Sequence, residues 1–213
     1  MKKKMFGLIV TVMAMVFPVL VNAETPENIV KIGDKEYATF QEAIDAVENN
    51  GTTATTIEVL RDSGATENVP GIMVVASNPK NIIIDFKGHT IQFGQPLVGS
   101  TGYKSQNIHI EKGSTFVFKN GTVKIDANAA MLFQNYANLT LEDLTVDATT
   151  SKRQTTVYAL SNNYGKVNII GKTNILSNGV AFDVYYWPKN GYKEGGQVTV
   201  DATGNIKGKI EVT

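Results

Sequence analysis

From Thr55 onward, apolar and polar residues alternate in short words that return along the chain. The plainest is Asn81-Ile82-Ile83-Ile84-Asp85. Thr56-Ile57-Glu58-Val59-Leu60, Asn107-Ile108-His109-Ile110-Glu111, Asn138-Leu139-Thr140-Leu141-Glu142, Lys166-Val167-Asn168-Ile169-Ile170 and Gln197-Val198-Thr199-Val200-Asp201 follow its pattern, at steps of 25 to 31 residues. In every word one alternate set is aliphatic, as in Ile57 and Val59 or Leu139 and Leu141, and the other is mixed. Each word therefore predicts a strand with an inner and an outer face. A second short strand follows most words (Thr90–Phe93, Thr115–Phe118 with Thr122–Ile125, Leu144–Val146, Thr173–Leu176), and a third follows in the middle copies (Ala130–Phe133, Thr156–Leu160, Val180–Val184). Three short strands plus turns fill one coil of a parallel β-helix, the architecture that a repeat of this period marks. Gly88, Gly113, Gly121, Gly171, Gly179 and Gly204 fall between strands, where turns call for positive φ.

One stretch has the helical period instead. Thr39 and Glu42 make a capping box, and Phe40, Ala43, Ile44 and Val47 form one apolar stripe. The expected helix, 39–49, ends at Asn49-Asn50-Gly51 and covers the apolar end of the first coil. Tyr37-Ala38-Thr39-Phe40-Gln41-Glu42-Ala43-Ile44, leading to Ile57–Leu60 and then Ile84-Asp85-Phe86-Lys87-Gly88-His89-Thr90-Ile91, resembles secreted bacterial proteins of the pectin-lyase-like superfamily, in particular its surface-protein and adhesin-like branch. The resemblance spans about Ile32 to Thr213. It implies an all-β chain, a right-handed parallel β-helix of about five coils with an N-terminal capping helix, and leaves the function open among lyases, hydrolases, tailspikes and adhesins.

Composition changes this picture mainly at the N-terminus. Met1-Lys2-Lys3-Lys4, the apolar run Met5 to Val21 and the small-residue site Val21-Asn22-Ala23 read as a signal peptide, 1–23, which makes the mature domain 24–213 and its location extracellular. A membrane anchor is the rival reading, and Pro18 with the cleavage site weighs against it. The chain carries 20 basic and 20 acidic residues and no Cys. Without a clustered basic face no nucleic-acid partner is expected, and without disulfides the core alone must hold the fold.

Candidate chemistry is sparse. Asp85, Glu111, Glu142 and Asp201 occupy nearly corresponding places in successive words. They read as a solvated acidic ladder neutralised by Lys87, Lys112 and Lys172, with calcium or a basic partner as the functional alternative. His89 reads as a turn residue and His109 as an outward strand residue, neither in a metal-ligand spacing. The lyase and glycosidase words of the superfamily are missing, so no catalytic residue, metal site or cofactor is assigned. Asn81, Asn107 and Asn138 open three words and predict an amide ladder, and the repeat-equivalent Tyr136 and Tyr164 predict a stacked pair.

The densest aromatic stretch, Phe182 to Tyr192, holds the sole Trp. Flat rings beside Asn and Asp suit a sugar, so Tyr185, Tyr186, Trp187 and Tyr192 are the candidate ligand-binding residues; packing over the coils is the bland alternative. The expected function is a secreted, non-catalytic binding or adhesin-like module for an extracellular glycan or a cell-surface protein. A carbohydrate-active enzyme with an atypical site and a structural surface component are the alternatives. The last strand has no capping helix after it, so either Tyr185–Tyr192 covers that end or the C-terminal coil self-associates.

Overall fold

The structure, a computed structural model, describes residues 27–49, 51–100, 102–186, 192 and 194–213. The expected signal segment and Trp187 lie outside the described residues. In chain order the elements are β1 (Val30–Ile32), β2 (Lys35–Tyr37), α1 (Phe40–Ala46), β3 (Thr55–Val59), β4 (Ile72–Val74), β5 (Asn81–Asp85), β6 (Thr90–Gln92), β7 (Gln106–Ile110), β8 (Thr115–Lys124), β9 (Met131–Asn135), β10 (Asn138–Asp147), β11 (Tyr158–Asn162), β12 (Lys166–Gly171), β13 (Asn174–Val184), β14 (Gln197–Ala202) and β15 (Ile206–Val212). The chain is all-β apart from α1, and its strands join in one 15-stranded network.

Apart from β1, which pairs antiparallel with β2 and β3, the strands pair in parallel and fall into three ladders. The first runs β3, β5, the first half of β8, the first half of β10, β12 and β14. The second joins β6, the later halves of β8 and β10, and the starts of β13 and β15. The third joins β4, β7, β9, β11 and the ends of β13 and β15. One apolar core lines the inner faces, and Ile57, Ile84, Phe118, Leu141, Ile169 and Val200 stack in register along the first ladder. Alternation places them there: the inward members of the words from Ile57 to Ile169 are buried.

The register corrects the repeat in two places, and the first is a two-residue offset that sets Ile57 opposite Ile84. Asn107–Glu111 belongs to the third ladder, and the partner of Asn81–Asp85 in the first is Thr115–Lys119. The 26-residue step from Asn81 to Asn107 was coincidental, because third-ladder strands alternate as first-ladder strands do. The acidic ladder breaks for the same reason. Lys119 lies between Asp85 and Glu142, Ile170 lies between Glu142 and Asp201, and Glu111 is on another ladder. Nor do Asn81, Asn107 and Asn138 form an amide ladder. Asn81 donates to Gly51 and Thr52 carbonyls, Asn107 is buried and accepts from the Asp126 N–H at 2.8 Å, and Asn138 is exposed. The buried amide pair is instead Asn135 and Asn162, 2.8 Å apart, on the third ladder.

In three passes the corner between the first two ladders turns on a single left-handed residue, Asn120 (φ 61°), Asp143 (φ 49°) or Gly171 (φ 65°), and between β5 and β6 it turns on Lys87 (φ 53°) and Gly88 (φ 90°). Short polar side chains and Gly tolerate that region. Of the six glycines expected to need positive φ, Gly88, Gly113 and Gly171 have it. Gly121, Gly179 and Gly204 are small for another reason: a Cβ on Gly121 would come within 2.3 Å of the Phe86 Cβ, and one on Gly204 within 2.1 Å of the Thr173 carbonyl oxygen.

Helix α1 closes the first pass as expected. Thr39 is its N-cap with a complete capping box, and Phe40 joins Phe86 and Phe93 at ring-centroid distances of 6.2 and 6.0 Å. The helix ends earlier than the Asn49–Gly51 signal suggests. Val47 is already extended, and the buried Lys80 ammonium donates to the Val47 carbonyl and to Asn49 Oδ1. A cation there satisfies an orphan carbonyl and opposes the negative end of the helix dipole.

Candidate binding groove

The outer face of the third ladder carries a row that begins at Met73 and continues with the polar His109, Gln134, Ser161, Asp183 and Glu211, in register from pass to pass. Beside it runs a second row, Gln106, Met131 and Tyr158. The rows stand three residues apart because each strand turns two successive residues inward: Leu132 with Phe133, Ala159 with Leu160, Ala181 with Phe182, all buried.

Outward does not mean exposed here. His109 is only 2 % exposed, which the sequence reading missed, and Asp183 only 7 %. His109 Nδ1 donates to Gln134 Oε1 at 2.9 Å, and Gln134 Nε2 donates to the Tyr136 hydroxyl at 3.3 Å. Burial lowers the His109 pKa, against the opposing pull of the Gln134 bond and Glu111, and so favours the neutral imidazole. Burial likewise pushes the Tyr136 phenol up to about 12, with Tyr192, Glu111 and Asp183 adding to it. The Asp183 carboxyl is pushed up to about 6, chiefly by burial and further by Glu211, although Ser161 and the Asn162 N–H at 3.1 Å bond to it.

Where the third ladder turns back to the first, aromatic rings collect. Tyr192 lies 4.9 Å from Tyr136 and 5.1 Å from Tyr164, centroid to centroid, so Tyr192 contacts both members of the expected tyrosine pair. The Lys112 ammonium sits 5.0 Å over the Tyr192 ring, and His109 packs 5.6 Å from Tyr136. Two clefts open on this face. One, of about 370 Å³, lies between Ser100, His109, Glu111, Tyr136 and Tyr192. The other, of about 460 Å³, is walled by Tyr103 and Tyr185 and floored by Met131, Gln134, Tyr158 and Asp183. Ser100 and Tyr136 line both, so the clefts are neighbours.

Two of the expected ligand-binding residues thus reach the groove, Tyr185 in the larger cleft and Tyr192 at the smaller. Tyr186, 47 % exposed, lines neither, and its N–H donates to the Thr213 carbonyl. Tyr103, Tyr158, Gln134 and Asp183 went unselected. Aligning the third strands of each coil brings out Gln134 and Asp183, which share a register row with Ser161, and Tyr158 in the row beside it; Tyr103 sits on a loop with no repeat to mark it.

Asp183 also sets a stability trend. Its carboxyl binds a proton more tightly folded than unfolded, so its contribution is full below about pH 4 and is lost as pH rises through about 6. Replacing Asp183 with Asn keeps an acceptor for the Asn162 N–H and removes the buried charge. The variant should gain ~2–3 kcal/mol over the parent at pH 8 and nothing at pH 4. Urea unfolding at both pH values checks this, and an equal gain at both would contradict it.

Comparison with family models, with curated proteins and with solved structures gave no match to this chain.

Proposed function

We propose that the chain is a secreted right-handed parallel β-helix of the pectin-lyase-like kind whose third-ladder face binds a glycan without cleaving it. Three parallel ladders around one core support the fold, and the strong right-handed bias of parallel crossovers supports its hand. The observation that carries the function is the composition of the larger cleft: Tyr103, Tyr136, Tyr158 and Tyr185 around Gln134, Asn163 and Asp183. Rings take the apolar faces of a sugar and the amides and carboxyl take its hydroxyls. Hydrolysis fits less well. Asp183 is the single carboxylate among the described residues that line the larger cleft, and Glu111, in the neighbouring cleft with one oxygen 3.9 Å from His109 Nε2, accepts from the Ala76 N–H at 2.7 Å. A glycosidase pair needs separations of about 5–10 Å.

A glycan array with the purified protein tests the reading. Tyr103→Ala and Tyr185→Ala should each weaken binding to the recognised glycan on the order of tenfold. Tyr186→Ala, outside both clefts, should bind as the parent does. A parent that retains nothing on the array, or cleft variants as tight as the parent, would sink it.

A further inference from the structure

The two ends of the ladders differ. At the first pass, α1 and the antiparallel β1 and β2 cover the core, and Ile57 and Phe40 are sealed. The outermost strand of the first ladder there, β2, is three residues long and reads Lys35-Glu36-Tyr37, a short charged edge of the kind that resists pairing, and the third-ladder edge, β4, is also three residues long and lies against α1, its Met73 N–H donating to Gln41 Oε1 at 2.9 Å. At the last pass, β14 pairs only with β12 and β15 only with β13 among the described residues. Val200, Ile210 and Val212 stand in register with Ile169, Phe182 and Val184, yet are 43 %, 57 % and 78 % exposed. They continue core columns, and among the described residues no further layer lies over them.

We propose that this end binds a second copy of the chain, β15 pairing antiparallel with its counterpart about a two-fold axis that passes midway between the two Ile210 residues, normal to the third ladder. Three observations select that occupant. First, the sealed end cannot receive the open one, so head-to-tail stacking is blocked and an isologous contact remains. Second, an axis normal to the sheet keeps inner faces inside, so each exposed core position meets the partner's core and not its surface. Third, the charges on β15 are self-complementary in one register. Residues facing each other across an antiparallel pair share a side, so Ile210 must meet an inward residue. Centring on Lys209 or on Glu211 would set like charges against each other at the axis. Centring on Ile210 places Lys209 opposite Glu211 of the second copy, twice, and Gly208 opposite Val212. The assembly closes at two copies, which hides the edge that would otherwise recruit further strands.

The experiment is sedimentation velocity on the purified protein over a wide concentration range. The parent should show a monomer–dimer equilibrium with no larger species. Lys209→Glu and Glu211→Lys should each weaken dimerisation at least tenfold, since each creates two like-charge pairs, and the double variant should restore it. Ile210→Asp should leave a monomer. Thermal melts of the variants guard against loss of fold, and the charge swap itself separates specific pairing from loose apolar association. A parent monomeric at every concentration, growth beyond two copies, or a double swap as weak as either single one would overturn the proposal. So would a monomer whose β14 and β15 amides resist hydrogen exchange, because the chain itself would then cover that end.

Discussion

Phe118→Ala should cost about 3–5 kcal/mol, the range for a large ring removed from a packed core. Phe118 is fully buried and is the hub of the aromatic column: Phe86 lies 6.3 Å from it, Phe116 5.9 Å, and Phe133 5.1 Å edge-on. Through Phe86 it connects to Phe40 on the capping helix, and through Phe133 to the inner face beneath the groove. The cavity would therefore open between the first and third ladders, directly behind the Phe86 ring that meets the cap. For a chain of this size the loss corresponds to a fall in Tm of roughly 10 °C. Val200→Ala is the internal control. It occupies the same register column two passes after Leu141, but at 43 % exposure it has little burial to lose. At dilutions that keep the protein monomeric it should cost under about 1 kcal/mol. Equal losses at both positions would mean that the stack is not graded from a sealed interior to an open end.

That gradient was only half legible in the sequence. Alternation identified nearly every inward residue, because one buried face imposes period two on each strand whichever ladder it joins. For the same reason alternation could not say which ladder a strand joins. Asn107–Glu111 has the right face and the wrong address, and what sets its address is the segment from Gly94 to Ser105, which lengthens the second pass before β7 begins. Helix α1 was readable from its capping box, since that signal is local. Its end was not, because Lys80, which closes it, lies 33 residues from Val47.

The groove shows the same division. Tyr185 and Tyr192 were visible as a dense aromatic stretch, but their setting depends on Tyr103, Tyr136 and Tyr164, brought from three other passes or loops. The burial of His109 and Asp183 contradicts the simple rule that outward strand residues are solvated. Ser100, Tyr103, Ser105 and Tyr185 wall this part of the face, and a single strand's pattern contains no trace of a cover supplied from elsewhere.

Asn135→Ala should be as damaging to the groove as Phe118→Ala is to the core. Asn135 is fully buried at the turn from the third ladder to the first. Its Nδ2 donates to the Ala137 carbonyl at 2.9 Å and to Asn162 Oδ1 at 2.8 Å, and its Oδ1 accepts from the Ala137 N–H at 3.2 Å. Asn162 passes the chain on, donating to the Gln197 carbonyl at 3.0 Å. Truncation leaves the two polar groups of Ala137 and Asn162 Oδ1 without their partner in the interior, at about 1–3 kcal/mol for each orphaned group. Part of that is recovered as the turn relaxes, so a net loss of about 3–4 kcal/mol is expected in urea unfolding. The turn that relaxes carries Tyr136, the residue shared by both clefts. Asn135→Ala should therefore also reduce near-ultraviolet dichroism from the tyrosine cluster and weaken glycan binding under conditions where the protein is still folded, whereas Phe118→Ala, acting on the inner face, should lower stability with a smaller change in both. A cycle with Asn162→Ala isolates the amide pair: the double variant should lose less than the two single losses added together, because both remove the same buried bond. Strict additivity would mean that the two amides serve their own turns and do not act as one chain of hydrogen bonds across three passes.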